Sequence, residues 1–149
     1  MVYSIMNLKK ILWTLVRDLY LDIFLLLLLF IYNYSGKTFG LLEYLGLLLG
    51  FVSSLFWIIS RVQLGRYFAV MPKASGLVTR GIYSKIRNPI YVFGTLTILG
   101  AVLPSRSLLQ YALWATGAIV EIFRSAKEAS VLQKRFGRKY SQYKSQTWF

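Results

Sequence analysis

Glu121, Arg124 and Glu128 stand three and then four residues apart, so a helix through them would carry all three on one face. The plainest use of that face is an ion pair between Arg124 and Glu128. Glu121 asks for more, because it lies at the end of an apolar run, where an ionisable group usually faces a cavity or a partner. A second polar cluster precedes another apolar run: GIYSKIRNPIYVF, Gly81 to Phe93, places Arg87, Asn88 and Pro89 at its mouth. Proline is tolerated in a first helical turn, where its missing N–H would be unpaired anyway. It also biases the preceding residue away from helix, so Asn88 is a candidate N-cap. A glycine-bearing turn before a helix start is also suited to anions or cofactors.

Other chemistries are excluded. The chain has no cysteine and no histidine, which removes thiolate chemistry, Cys or His metal sites and the commonest general base. Its five acids are Asp18, Asp22, Glu43, Glu121 and Glu128, too few and too scattered to promise a metal centre. A net charge of +13 is compatible with nucleic-acid binding only if it forms a soluble basic face. Here the charges lie between hydrophobic runs, so no nucleic-acid partner is expected.

The elements that would position these residues are apolar helices. The hydrophobic fraction is 56% and the mean hydropathy +0.53, above the usual soluble range. Four apolar segments stand out: 19–34, 39–60, 89–104 and 107–123. The second has the ~20 residues that a bilayer requires. The last two read as a tight hairpin around Pro104 and Arg106, each continuing into polar sequence at the same end. Residues 2–18 carry Ile5, Leu8, Ile11, Leu12 and Leu15 on one face, the pattern of an interfacial helix. Sixteen of the 18 Lys and Arg fall before the first segment, in the 61–88 loop or in the tail; only Lys37 and Arg106 fall in the opposite loops. The positive-inside rule then places both termini and the long loop in the cytoplasm. The expected fold is all-α: a single domain over 1–149, a polytopic membrane bundle of about four spans with an N-terminal interfacial helix and a cytoplasmic C-terminal helix. Glu43 reads as a snorkelling interfacial acid, and Gly46 and Gly50 as a close-packing pair serving either the fold or a dimer.

Two blocks carry a resemblance. LVTRGIYSKIRNPIYV, Leu77 to Val92, resembles the LVTxGxYxxxRxPxY signature of isoprenylcysteine carboxyl methyltransferases and the related phospholipid methyltransferases. KEASVLQKRFGRKYSQYK, Lys127 to Lys144, resembles the second half of that signature, an acidic pair followed by LxxxFGxxYxxY. The likeness covers about residues 64–148. Two departures stand out: Asn88 replaces the frequent His of RHP, and Ala129 the second acid. The RNP form is that of the phospholipid-methyltransferase-like branch.

The resemblance implies a membrane enzyme that uses S-adenosylmethionine in a cytoplasm-facing pocket, with a lipid or lipidated substrate entering from the bilayer. It implies that Leu77, Val78, Gly81, Tyr83, Arg87, Asn88, Pro89, Tyr91 and Glu128 line the cofactor site. Arg124 matches an arginine that the family keeps one turn before the acid. The residue types agree, since an Arg fork suits a carboxylate and Glu128 suits an ammonium. With Glu128 so occupied, Glu121 is the candidate base for an amine acceptor. Two other functions stay open: an NADPH-dependent reductase of the sterol-reductase-like type, and a non-enzymatic membrane protein binding anionic lipid.

Overall fold

A computed structural model describes residues 20–64 and 77–148, and every described element is helical. The proposed interfacial helix over 2–18 lies outside the described residues. Helix α1 occupies Tyr20–Tyr34, α2 Leu41–Leu64, α3 Pro89–Val102, α4 Leu108–Phe136 and α5 Arg138–Ser145. Short 3-10 turns at Gly81–Ser84 and Leu103–Ser105 precede and follow α3.

The first four helices run alternately up and down. Asp22 pairs with Arg61 at 3.0 Å at one end of α1 and α2, while Tyr34 near the other end reaches the Gly100 carbonyl at 2.9 Å. Phe56 of α2 stacks on Phe93 of α3 with ring centroids 5.0 Å apart. The α4 indole of Trp114 donates to the Thr95 carbonyl at 2.9 Å. Helix α3 is thus flanked by α2 and α4.

The packing is inverted relative to a soluble core. The buried stripe of α2 is Glu43, Gly46, Gly50, Ser53, Trp57, Ser60 and Arg61, mostly small or polar. Leu41, Leu45, Leu48, Phe51, Leu55, Ile59 and Val62 point outward. Outward leucine and inward small residues are the distribution that lipid favours. The glycines serve this packing: a Cβ on Gly100 would lie 2.5 Å from the Gly50 amide nitrogen and 2.6 Å from the Gly46 carbonyl oxygen. Gly46 and Gly50 are therefore spent inside the chain, on α3 and on Phe30 of α1. Among the described residues, α2 is the helix that is long and apolar enough to cross a bilayer; α1 and the segment Pro89–Ser105 are apolar but shorter.

Several details differ from expectation. Helix α3 begins at Pro89 and does not continue into the polar sequence before it, because proline stops it there. Helix α4 does continue, through Phe136. Glu43 does not snorkel. It is 2% exposed, accepts the Gly40 amide at 2.9 Å and faces Arg106 at 3.7 Å. An acid in the first turn that reaches back to the amide before the helix is half of a capping box. Lys37 donates to the Pro104 carbonyl beside it, tying the two loops at this end together.

Candidate functional site

The opposite end gathers the polar residues. Gly81 opens the 3-10 turn with φ +63°, and a Cβ there would collide with the Gln63 side chain. Glycine alone meets both demands. The Gln63 amide oxygen accepts from the Ile82 N–H at 2.9 Å, pinning the turn to the end of α2. Tyr83, 5% exposed, donates to the Ser60 carbonyl at 3.3 Å. Its own carbonyl accepts from the Tyr143 hydroxyl at 2.7 Å. Loop, α2 and α5 are thus locked by backbone and hydroxyl groups.

The LxxxFGxxYxxY block now has a physical meaning. Gly137, at φ 50°, breaks the chain out of α4 and starts α5. Tyr140 and Tyr143 then fall one turn apart on the buried face of α5. Burial pushes the Tyr143 hydroxyl up to about 12, with Tyr140 adding to the effect, so it stays protonated as a donor. Tyr83 is raised by burial and then by Glu128.

At the α3–α4 mouth the two signature blocks touch. Asn88 occupies the N-cap position of α3 but makes no side-chain cap bond. Its amide instead donates to Ser125 of α4 at 2.5 Å. One turn on, the Tyr91 hydroxyl donates to Glu128 Oε2 at 3.1 Å. The Arg124 guanidinium lies 5.6 Å from the Tyr91 ring centroid and pairs with Glu121 Oε1 at 2.9 Å. The ion pair on this face therefore closes backward, to Glu121. Burial raises the Glu128 carboxyl above its ordinary value, against the Tyr91 hydrogen bond and the Arg124 charge, which lower it.

Two buried polar atoms here have no hydrogen-bond partner among the described residues: Arg87 Nε and Glu121 Oε2. Buried polar groups are nearly always satisfied, so these two atoms are open to a partner beyond the described residues. Arg87 also lies within electrostatic reach of Tyr140 and Tyr143. Beside Tyr143 opens a cleft of about 450 Å³, lined by Leu77, Thr79, Phe136, Lys139, Gln142 and Gln146. Val78 follows Leu77 and is half-buried.

The sequence-derived residues therefore fall into neighbouring groups at one end. Asn88, Tyr91, Glu121, Arg124 and Glu128 join the α3–α4 mouth, with Pro89 buried at the α3 start. Leu77 borders the cleft, while Gly81 and Tyr83 form the turn between. Sequence reasoning missed Ser125, Tyr140, Tyr143 and Gln63. Tyr140 and Tyr143 were visible as the closing tyrosines of the second block, and Ser125 as the residue one turn beyond Glu121. Gln63 gave no signal.

No curated protein and no solved structure matches the chain. A family model described as phospholipid methyltransferase matches residues 38–139. That match begins earlier than the resemblance read from the signature blocks, taking in all of α2, and ends within α5 before Tyr140. It covers more than half of the chain and both sides of the α3–α4 mouth, so the chain belongs to the phospholipid methyltransferase family, a family of membrane-associated methyltransferases.

Proposed function

We propose that this chain is a four-span membrane enzyme that methylates a lipid-like acceptor from S-adenosylmethionine at its cytoplasmic end. The single observation behind this reading is the meeting of the signature blocks through Tyr91 on Glu128, with Asn88 of the first block held on Ser125 just ahead of the second, beside the orphaned Arg87 Nε and Glu121 Oε2.

The residues fit the cofactor by their chemistry. Arg87 suits its carboxylate through the unpaired Nε, and Glu128 its ammonium. Leu77, Val78, Gly81, Tyr83, Asn88, Pro89 and Tyr91 supply the surrounding wall. S-adenosylmethionine brings a methyl group on a sulfonium, which departs as a neutral thioether. The protein has little covalent work to do, so alignment and exclusion of water supply most of the rate. An ammonium acceptor must first lose a proton. Glu121 Oε2 is the atom we assign to take it, with Arg124 holding the other oxygen and fixing the carboxylate's direction. A carboxylate acceptor is already nucleophilic and would not need Glu121.

The cytoplasmic orientation rests on the sixteen-to-two split of Lys and Arg. The two exceptions are engaged at the far end, Arg106 with Glu43 and Lys37 with the Pro104 carbonyl. The outward leucines of α2 supply the lipid-facing surface. The reading is tested by incubating membranes that contain the protein with methyl-labelled S-adenosylmethionine, then extracting lipids. Label in a lipid fraction, absent with an Arg87→Ala variant, is expected. Label in no lipid or lipidated acceptor would count against it.

A further inference from the structure

After Gly137 the chain doubles back. Helix α5 lies against the Gly81–Ser84 turn through Tyr143, and the Trp148 N–H then donates to the Lys85 carbonyl at 2.9 Å. Lys85 precedes Pro89, the start of α3, by one turn's worth of chain. The returning strap therefore ends where α3 begins. Trp148 is 88% exposed, although its backbone N–H is bonded. Lys85 and Lys144 are exposed beside it, and Tyr140 and Tyr143 occupy the inner face of α5, leaving its cations outward.

No described carboxylate serves this rim. Asp22 is paired with Arg61, Glu121 with Arg124, and Glu128 accepts from Tyr91. Glu43 is at the far end with Arg106. An exposed tryptophan with exposed Lys85 and Lys144 near it along the backbone, neither lysine ion-paired among the described residues, matches the composition of a bilayer interface. The ammonium groups call for phosphate, and the indole for the boundary beneath it.

We infer that Trp148, Lys85 and Lys144 form an anchor that seats the C-terminal strap on an anionic phospholipid surface, that of the leaflet holding the site. This rests on the membrane-spanning reading above and is independent of methyl transfer. Docking holds Tyr143 on the Tyr83 carbonyl, so the lipid surface steadies one wall of the site. Each lysine near an anionic surface contributes about 1 kcal/mol, about a fivefold change in the docking equilibrium.

The test uses the full chain in vesicles of brominated phosphatidylcholine, with or without phosphatidylglycerol. The Trp148 signal is the fluorescence difference between wild type and Trp148→Phe. Bromine quenching of that signal is expected to rise with phosphatidylglycerol and to fall with added salt. Lys85→Gln and Lys144→Gln should each reduce docking about fivefold, and Lys85→Arg should restore it. Equal quenching in both lipid mixtures overturns the anchor. So does protection of Trp148 by added RNA but not by phosphatidylglycerol. Retention after a carbonate wash is measured in parallel. Protein released by the wash contradicts the spanning reading and the anchor with it, whereas retained protein with an unresponsive Trp148 contradicts the anchor alone.

Discussion

The Tyr143 hydroxyl donates to the Tyr83 backbone carbonyl at 2.7 Å, joining segments 60 residues apart. Both side chains are buried, so no water replaces the bond cheaply. Tyr143→Phe should leave the carbonyl unsatisfied and cost about 1–3 kcal/mol. The expected result is a lower thermal midpoint in detergent and weaker cofactor binding. An unchanged midpoint would show that the strap does not hold the turn.

The α2–α3 contact makes a sharper contrast. Gly100→Ala drives a methyl into the backbone of Gly46 and Gly50, an overpacking expected to cost about 1–3 kcal/mol. Gly117→Ala on α4 meets nothing within 4 Å and should stabilise by up to about 1 kcal/mol through helix propensity. Denaturation midpoints of the two variants should move in opposite directions.

Much of this fold is readable from residues alone, and the limits have physical causes. The apolar runs and Pro89 mark α1, α2 and the α3 start, because runs of apolar side chains and proline act locally. That α4 runs on into polar sequence is legible too, although its last turn carries Lys134 and Arg135. Glu121, Arg124 and Glu128 share a face as their spacing requires, but which pair closes depends on Tyr91, 37 residues away, which engages Glu128. Asn88 likewise forgoes its local cap for Ser125, also 37 residues distant. Such choices are tertiary, and no local pattern encodes them.

Glu128 gives a pH signature. Burial raises its folded-state pKa above the ordinary 4.5, so the folded chain holds this proton more tightly than the unfolded one. Its contribution to stability is complete below 4.5 and is lost as pH rises through the raised value. Glu128→Gln should remove that dependence from the denaturation midpoint. Cofactor binding should run the other way, strengthening over the same window as the carboxylate ionises.

The orientation is open to a direct check, because the chain has no native cysteine. Thr38→Cys lies between α1 and α2, and Lys134→Cys near the end of α4. An impermeant thiol reagent on intact cells should label the first and reach the second only after permeabilisation. The reverse pattern would invert the site to the outer face.

Glu121 bears on the acceptor. Glu121→Gln keeps the shape but removes the base at Oε2. Methylation of an amine acceptor should fall by about 10²–10⁴-fold, the usual worth of general-base catalysis, while a carboxylate acceptor should be little affected. Amine methylation at the wild-type rate and pH profile would leave Glu121 as the ion-pair partner of Arg124 and nothing more.

The most direct measurement is a calorimetric titration of the purified protein with S-adenosylmethionine and, separately, with NADPH. Saturable binding of S-adenosylmethionine alone is expected, weakened by about 1.5–3 kcal/mol in Arg87→Ala and in Glu128→Ala, with Lys85→Ala close to wild type in detergent free of anionic lipid, where the anchor has no surface to dock on. Binding of NADPH without S-adenosylmethionine, or equal losses in all three variants, would contradict a methyl-donor site at the α3–α4 mouth.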